Sequence, residues 1–248
     1  MSRLVLLRHG ESEWNRANLF TGWVDVDLSS RGQDEAGEAG RLMASAGLAP
    51  DVAFTSVLTR AIRTAELALA AMGRSWVPVV RHWRLNERHY GALQGLDKKQ
   101  TAEQHGLDQV KVWRRSYDVP PPALAASSDM NPAGDARYAA VPRDQLPLTE
   151  CLADVVARFV PYWHDGICPE LHAGREVLVV AHGNSLRALI KHLEEIPDDA
   201  IAGLEVPTGT PRVYELDPAD PCRVLNAEWL GDPADLAARA EAVAKQAG

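Results

Sequence analysis

The chain has 248 residues, of which 46% are hydrophobic and 24% are charged, and its formal net charge is −8. This length allows one domain with a sizeable buried core, and the composition is that of an ordinary soluble globular protein. The acidic balance argues against nonspecific binding to nucleic acid or to an anionic membrane, although a local cluster of arginines can still attract an anionic ligand.

Three cysteines are widely spaced along the chain, at Cys151, Cys168 and Cys222. Their number and spacing indicate neither a disulfide framework nor a metal site, and free cysteines fit a reducing compartment. The apolar run after Arg3 is too short for the core of a signal peptide or for a membrane span. We therefore expect an intracellular, cytoplasmic protein.

The first part of the chain alternates predicted strands with predicted helices. Residues 4–7 form a short apolar run, typical of a strand buried on both faces. Residues 30–47 begin with the spacing of a capping box, which indicates the start of a helix. Residues 52–56 predict a second strand and lead into an amphipathic helix over 58–72. Residues 76–80 predict a third strand.

Regular periodicity is weak from residue 84 to residue 148. Within it, residues 117–148 are rich in proline, alanine, serine and aspartate, and they predict one long irregular insertion. Thr149 is a candidate N-cap for the helix that follows. Residues 177–181 then predict a strongly buried strand, and residues 185–195 predict a helix directly after it.

Two late strands are predicted over 212–216 and 224–230, and they precede a tail at 231–248. The alanine and charge content of the tail predicts a helix that is mobile in part. Alternating strands and helices indicate an α/β fold with a mostly parallel central sheet and helices on both faces. Because no repeat or linker divides the chain, we expect a single catalytic domain over 1–248.

Two of the predicted strands end alike, in LVLLRHGES and VLVVAHGNS. Ligands of open α/β sheets bind at the carboxyl ends of the strands, so His9 and His182 are expected at that edge. If the strands are neighbours, both imidazoles reach one ligand, and Gly10 and Gly183 let the backbone approach it. A lone histidine at a strand end is more often structural, but two matched contexts favour a functional site.

Arginines provide a second signal for an anionic ligand. Arg8 adjoins His9, Arg60 follows the second strand, and Arg114 and Arg115 form a pair. The planar guanidinium group binds phosphate through several N–H donors. Each arginine alone is more typical of a solvated surface charge, except Arg8, which lies between a buried strand and a glycine.

Several other chemistries leave no motif in the chain. The sequence contains no Walker loop, no GxGxxG after the first strand, no GxSxG and no HExxH. A histidine therefore remains the best candidate for a nucleophile, because neutral imidazole can attack phosphorus when its other nitrogen donates to a backbone carbonyl.

Taken together, these stretches resemble a known family. RHGESEWN, FTGW, TSVLTRAIRT, LNERHYGALQG, KVWRRSYD and AHGNSLRALIK are similar to the cofactor-dependent phosphoglycerate mutases of the histidine phosphatase superfamily. RHG alone indicates only the superfamily, whereas LNERHYGALQG with WRRSYDVPPP is specific, since simpler phosphatases of this fold generally lack it. The resemblance extends from Arg3 to about Gly231 and is fainter in the tail.

The resemblance implies a phosphoglycerate mutase-like fold and a set of site residues. It implies that His9 is the nucleophile that becomes phosphorylated and that Glu87 is the general acid and base. Three residues would hold the phosphoryl group: Arg8, Arg60 and His182. The residues implied in substrate binding are Ser12, Asn15, Thr21, Gly22, Arg88, His89, Tyr90, Lys98, Arg114, Arg115, Gly183 and Asn184.

The implied reaction is the interconversion of 3-phosphoglycerate and 2-phosphoglycerate in glycolysis and gluconeogenesis. It would proceed through a phosphohistidine primed by 2,3-bisphosphoglycerate, without a metal. The expected partner is the small phosphorylated substrate, with neither nucleic acid nor membrane. A homodimer and a homotetramer are both common in the family, and a monomer stays open.

Three alternatives stay open at this point. The first is a phosphatase of the same fold, in which water accepts the phosphoryl group, and the second is a bisphosphoglycerate mutase, whose end product is the diphosphate. The third is a non-catalytic sensor of phosphorylated ligands, although the candidate catalytic residues are all present. The tail at 231–248 resembles the family's mobile cover over the pocket, and its composition equally describes a frayed helix.

Overall fold

We describe the fold from a computed structural model, which describes residues 3–217, 219–220 and 222–244. Six strands are present in this part: β1 (Arg3–Arg8), β2 (Val52–Thr55), β3 (Val79–Arg81), β4 (Val177–Ala181), β5 (Pro211–Leu216) and β6 (Val224–Trp229). They form one sheet in the order β3-β2-β4-β1-β5-β6. Strands β1 to β4 are parallel, while β5 and β6 are antiparallel to their neighbours. The prediction of a mostly parallel α/β sheet is confirmed.

Helices cover both faces of this sheet. They are α1 (Glu13–Arg16), α2 (Ser30–Ser45), α3 (Thr59–Ala71), α4 (Lys98–His105), α5 (Leu107–Arg115), α6 (Leu152–Tyr162), α7 (Cys168–His172), α8 (Gly183–Leu193) and α9 (Pro233–Ala244). One π-helical turn, Trp163–Ile167, joins α6 to α7. No helix in the described residues is long and apolar enough to cross a membrane.

The alternating side chains of β1 explain its continuous apolar run. Leu4 and Leu6 pack in a core cluster with residues of α6, α7 and α8. Val5 and Leu7 face the opposite side and pack with residues of α2 and α3. Successive residues of a strand point to opposite faces, so a strand between two helical layers has no polar side.

The register between β1 and β4 positions the two His-Gly pairs. These strands are neighbours, and Arg8 at the end of β1 pairs with Ala181 at the end of β4. The next residues are His9 and His182, and the backbone N–H of His9 donates to the carbonyl oxygen of Ala181 at 3.0 Å. Both histidines therefore leave the sheet at the same edge.

Several element boundaries differ from the prediction. The third strand is Val79–Arg81 rather than 76–80. The cap of α2 is Ser29, whose hydroxyl accepts from the N–H of Gly32, and α8 begins at Gly183 rather than at 185. Thr149 does not cap α6, because its hydroxyl donates to the carbonyl oxygen of Pro121. Polar groups near each boundary compete for the same role, and spacing alone does not decide between them.

Two helices, α4 and α5, lie within the stretch of weak periodicity. The following segment, 117–148, contains three short 3₁₀ turns, at Pro132–Gly134, Ala136–Tyr138 and Arg143–Gln145. Helix α9 occupies most of the predicted tail, while residues 245–248 lie outside the described residues. The single-domain organisation stays a prediction.

The cysteines correct the expectation drawn from their spacing. Cys168 and Cys222 form a disulfide, with Cα atoms 6.2 Å apart and a sequence separation of 54 residues. The fold brings them together because α7 and the end of β5 both lie at the amino end of the parallel strands. Cys151 is free and buried.

Candidate active site

One pocket lies at the carboxyl edge of the parallel strands and gathers most of the predicted site residues. Those that line it are Arg8, His9, Asn15, Thr21, Gly22, Arg60, Glu87, Tyr90, Lys98, Arg114, Arg115, Gly183 and Asn184. They come from loops and helices that are distant in sequence. The topology of the sheet therefore brings them together, because the segments after β1, β2 and β4 all emerge at this edge.

His9 follows directly after β1 and is buried. Its Nδ1 atom lies 2.7 Å from the carbonyl oxygen of Gly10. Because a carbonyl oxygen only accepts, Nδ1 carries the proton and Nε2 keeps the lone pair. Burial, followed by the charges of Arg60 and Arg8, lowers the pKa of His9 well below its ordinary value. The ring is therefore neutral near pH 7, which is the state that a nucleophilic histidine needs.

His182 occupies the matching position after β4 and is fully buried. The imidazole rings of His9 and His182 lie edge to face, with their centroids 4.9 Å apart. His182 Nε2 lies 2.7 Å from Ser56 Oγ, and its Nδ1 has no hydrogen-bond partner in the described part of the chain. Burial, followed by the charge of Arg60, lowers the pKa of His182 well below its ordinary value. This ring is therefore neutral near pH 7 as well.

Two buried guanidinium groups accompany the histidines. Arg60 donates to the carbonyl oxygens of Gly22 at 2.8 Å and Val24 at 3.0 Å. Arg8 donates from Nη1 to the carbonyl oxygen of Val206 at 2.6 Å. Burial lowers the pKa of Arg60 to about 10, so this side chain keeps its charge at neutral pH. Backbone carbonyls thus orient two cations beside His9.

Glu87 is held at both its side chain and its backbone. The carboxylate accepts hydrogen bonds from the N–H groups of Arg88 at 2.7 Å and Asn184 at 3.1 Å. The carbonyl oxygen of Glu87 accepts from Trp23 Nε1 at 2.6 Å and from Arg158 Nη2 at 2.9 Å. These contacts fix one carboxylate in the pocket, at a position where it can exchange a proton with a bound hydroxyl.

The outer part of the pocket carries further positive charge. Burial, followed by the charges of Arg114 and Arg8, lowers the pKa of Lys98 to about 7. Burial also lowers the pKa of Arg114. Tyr90 accepts a hydrogen bond from Asn184 Nδ2 at 3.2 Å. The pocket therefore offers a second group of donors, in addition to those beside His9.

Four predicted site residues do not line this pocket: Ser12, Arg88, His89 and His182. Ser12 caps α1, where its hydroxyl accepts from the N–H of Asn15. Arg88 is fully buried and donates to the carbonyl oxygen of Arg114 at 2.7 Å. His89 Nδ1 accepts from the N–H of Gly91. Ser12 and Arg88 thus support Asn15 and Arg114, which do face the pocket, and His182 packs against the ring of His9.

Sequence reasoning missed five lining residues: Leu19, Phe20, Arg187, Glu205 and Val206. Arg187 donates to Asn184 Oδ1 at 3.1 Å, and burial lowers its pKa to about 9. It lies three residues after Asn184 on α8, so helical spacing in AHGNSLR carries a signal for it. Glu205 lies in a loop outside every recognised motif, and no sequence pattern indicates it.

The described residues contain one group of side chains with ligand atoms close enough to hold a metal ion: His172, Asp220 and Cys222. The spacing of the cysteines gave no sign of this group. It lies outside the pocket, and the sulfur of Cys222 is already bonded to Cys168. Metal independence of the pocket stays a prediction.

Comparison with known proteins agrees with this geometry. The family model of the histidine phosphatase superfamily (branch 1) matches residues 4–131 and 126–228. A 2,3-bisphosphoglycerate-dependent phosphoglycerate mutase of Thermobifida fusca is 59% identical over 246 residues and covers 99% of both chains. A protein of the same name from Nitratidesulfovibrio vulgaris is 58% identical, covering 99% of this chain and 98% of the relative.

A solved structure shares the fold at lower sequence similarity. The mycobacterial glucosyl-3-phosphoglycerate phosphatase in complex with VO3 superposes with a TM-score of 0.68 at 23% identity, covering 92% of this chain and 96% of that one. At this identity the likeness concerns the fold alone. The family match and the full-length relatives confirm the resemblance read from the motifs. The chain belongs to the histidine phosphatase superfamily, and within it to the 2,3-bisphosphoglycerate-dependent phosphoglycerate mutases.

Proposed function

We propose that this protein interconverts 3-phosphoglycerate and 2-phosphoglycerate through a phosphorylated His9. The observation that carries the proposal is the composition of one pocket. A neutral histidine, a fixed carboxylate and two groups of cationic side chains line it together. A mutase needs all four, because its substrate has two anionic ends and a hydroxyl that must gain and lose a proton.

The residues around His9 suit phosphoryl transfer. The Gly10 carbonyl holds Nδ1–H, so Nε2 is the atom that bonds to phosphorus. Arg8 and Arg60 bring positive charge to the oxygens of the transferring group, where developing charge is stabilised. His182 has an unpartnered Nδ1, which fits a hydrogen-bond donor to one of those oxygens.

Glu87 supplies the proton transfers in both directions. When the phosphoryl group leaves His9 for the 2-hydroxyl of 3-phosphoglycerate, Glu87 takes the proton of that hydroxyl. When the 3-phosphoryl group then moves to His9, Glu87 returns the proton to the 3-oxygen. His9 is phosphorylated again at the end, and the product is 2-phosphoglycerate. The bonds from Arg88 and Asn184 keep the carboxylate at one position through both steps.

The pocket also fits 2,3-bisphosphoglycerate as the primer. Two buried donors that face no partner in the described residues, Arg8 Nε and Arg115 Nη1, belong to lining side chains. Unpaired buried donors are costly unless a ligand accepts from them. When bound, the primer supplies the phosphoryl group that first charges His9.

The outer cations favour a mutase over a phosphatase. A phosphatase needs a phosphate site and water, whereas Lys98, Arg114 and Arg115 form a second anion site for the other end of the substrate. Holding both ends keeps the acceptor hydroxyl at phosphorus and leaves less room for water.

The test is an assay of the purified protein with 3-phosphoglycerate, with and without added 2,3-bisphosphoglycerate. We expect 2-phosphoglycerate to form faster than inorganic phosphate, activity to rise with the primer, and mass spectrometry to find an acid-labile phosphate on His9. Faster release of phosphate would indicate a phosphatase, accumulation of the diphosphate would indicate a bisphosphoglycerate mutase, and the absence of the phosphohistidine would indicate a sensor.

Three further expectations accompany this function. Chelation is expected to leave the activity unchanged, because arginines supply the positive charge. A glycolytic role places the protein in the cytoplasm, which cell fractionation tests. The mass of the purified protein in solution distinguishes a homodimer, a homotetramer and a monomer.

A further inference from the structure

The pocket contains one carboxylate that the proposed reaction does not use. Its charged lining residues include six cations and two acids. Glu87 is one acid and has a role in proton transfer. The other is Glu205, in the loop before β5. A negative charge beside an anionic substrate opposes binding, so its presence needs a reason.

Glu205 forms an ion pair with Arg115 inside the pocket. Oε1 of Glu205 lies 2.5 Å from Nη2 of Arg115, and the two side chains are 20% and 13% exposed. Oε2 of Glu205 and Nη1 of Arg115 are buried and have no hydrogen-bond partner in the described chain. The pair is therefore partly shielded from solvent and engages only one atom of each group.

The backbone around Glu205 is fixed to the pocket on both sides. The carbonyl oxygen of Leu204 accepts from Arg187 Nε at 3.0 Å. The carbonyl oxygen of Val206 accepts from Arg8 Nη1 at 2.6 Å. The charge of Glu205 also opposes the effect of burial on the pKa of Arg8. The carboxylate is thus held within electrostatic reach of the cations that would bind the ligand.

We propose that Glu205 is a specificity-determining residue that weakens the binding of the bisphosphorylated ligand more than that of the monophosphorylated substrate. This inference rests on the proposed function. Glu205 repels anionic ligands and competes with them for Arg115. Repulsion grows in proportion to ligand charge, and each phosphate ester carries about −1.5 to −2 near neutral pH. The second phosphate of 2,3-bisphosphoglycerate therefore accounts for most of the difference between the two ligands in their repulsion by Glu205.

This selectivity has a consequence for the reaction. The bisphosphorylated species forms within the pocket and must stay until its second phosphoryl group is transferred. A carboxylate that weakens its binding allows it to leave more often, and each departure leaves His9 without its phosphoryl group. The protein would then need more free 2,3-bisphosphoglycerate for full activity than the same pocket without this charge.

The substitution that tests the inference is Glu205→Gln. It keeps the shape and the oxygen that accepts from Arg115, and it removes only the negative charge. Dissociation constants are measured by calorimetry in a His9→Gln background, where no turnover occurs. We expect the constant for 2,3-bisphosphoglycerate to fall about ten-fold and that for 3-phosphoglycerate to fall about three-fold or less. In the protein with His9 intact, the concentration of primer for half-maximal activity should fall as well.

The matched control is Glu176→Gln, which removes an equal charge from an ion pair with Arg3 at the opposite edge of the sheet. It should change neither dissociation constant. Unchanged constants in the Glu205→Gln protein, an equal fall for both ligands, or weaker binding through a misplaced Arg115 would each overturn the inference. The proposed function fails separately, if the unsubstituted protein does not form 2-phosphoglycerate, because the calorimetry does not depend on turnover.

Discussion

The backbone after β1 lies directly against the first turn of α2, where Gly10 packs against Gly32. A Cβ atom on Gly10 would lie 2.1 Å from the carbonyl oxygen of Gly32. This contact gives Gly10 a role that the sequence did not indicate. The glycine lets the segment that carries His9 pack against a helix, in addition to any room that it leaves for a ligand.

Replacing Gly10 with alanine should therefore both destabilise the protein and reduce its activity. The added methyl group forces α2 and the His9 segment apart, which we expect to cost about 1–3 kcal/mol. Urea unfolding measures the loss, and kcat/KM for 3-phosphoglycerate reports the displacement of His9.

The control for this substitution is Gly37→Ala on the same helix. There the nearest atom to an added Cβ is the flexible end of Arg41, at 3.5 Å. Alanine in a helix is favoured over glycine by about 0.5–1 kcal/mol, so this variant should be as stable as the unsubstituted protein or more so. Equal behaviour of the two variants would show that the contact with Gly32 is not a constraint.

Glu87→Gln should separate proton transfer from phosphoryl acceptance. The amide cannot exchange the proton of the substrate hydroxyl, so mutase activity should fall about 10²–10⁴-fold. Acetyl phosphate carries a leaving group that needs no protonation by the protein, so it should still phosphorylate His9 in this variant. His9→Gln should lose both activities. If phosphorylation by acetyl phosphate is lost in Glu87→Gln as well, the carboxylate has a broader role than proton transfer.

Lys98 should make substrate capture depend on pH. Its pKa is about 7, so the side chain is charged below that pH and loses its charge as the pH rises through it. One charge-assisted bond contributes about 1.5–3 kcal/mol, and kcat/KM for 3-phosphoglycerate should fall about ten-fold between pH 7 and pH 9. Lys98→Arg, which stays charged, should flatten this alkaline decline.

The neighbouring lysine provides the comparison for that profile. Lys99 is exposed on the same helix, and Lys99→Arg should leave the decline unchanged. An alkaline decline that persists in Lys98→Arg would assign it to another group.

The inner part of the site could be predicted from the sequence because it lies on strand ends. The apolar runs before His9 and His182 are strong signals, and a parallel sheet brings their carboxyl ends to one edge. The sequence left open whether these two strands are neighbours, and the structure shows that β1 and β4 pair directly. Arg8 and Arg60 could be predicted as candidates for the same reason, because each lies close after a predicted strand.

The outer part of the site was predicted through family resemblance. The contacts that the quoted motifs do not contain could not be predicted. Helix α4 has weak periodicity because it carries few apolar residues, so the pattern did not place Lys98 in space. Glu205 acts through a tertiary contact between a loop and α5. The disulfide of Cys168 depends on a partner 54 residues away. Such pairings are set by the packed chain and leave no local pattern.

His89 should make stability depend on acid pH. The side chain is fully buried, and its Nδ1 accepts from the N–H of Gly91 at 3.0 Å. Burial, followed by the charge of Arg158, lowers the pKa of His89 from 6.5 to about 4. The unfolded chain therefore binds a proton between pH 6.5 and pH 4 that the folded protein does not. The contribution of neutral His89 to the free energy of unfolding is therefore complete above pH 6.5, and it is lost as the pH falls towards 4.

Unfolding in urea at a series of pH values measures this effect. One such histidine should account for a loss of about 2 kcal/mol between pH 8 and pH 5. His89→Gln should show a shallower dependence on pH, whatever its stability at pH 8. His105→Gln, at an exposed position, should retain the full slope, and equal slopes in both variants would exclude His89 as the source.

Helix α9 should limit the access of water to the phosphorylated pocket. Arg239 of this helix donates to Glu38 at 2.8 Å and to the carbonyl oxygen of Thr208 at 3.4 Å. Thr208 lies two residues after Val206, whose carbonyl oxygen accepts from Arg8. The tail is thus attached beside a loop of the pocket. Removing all residues after Asp232 should raise the ratio of phosphate released to 2-phosphoglycerate formed, because water then competes with the substrate hydroxyl for the phosphoryl group on His9.

A several-fold rise in that ratio would identify the tail as a cover. An unchanged ratio in a truncated protein of unchanged stability would identify it as a frayed helix. Arg239→Ala separates attachment of the helix from its presence, since it removes the contacts with Glu38 and Thr208. If those contacts hold the cover in place, this variant should show an intermediate ratio. Unfolding in urea should be measured alongside, because a truncated protein that is less stable overall would lose both activities together and leave their ratio unchanged.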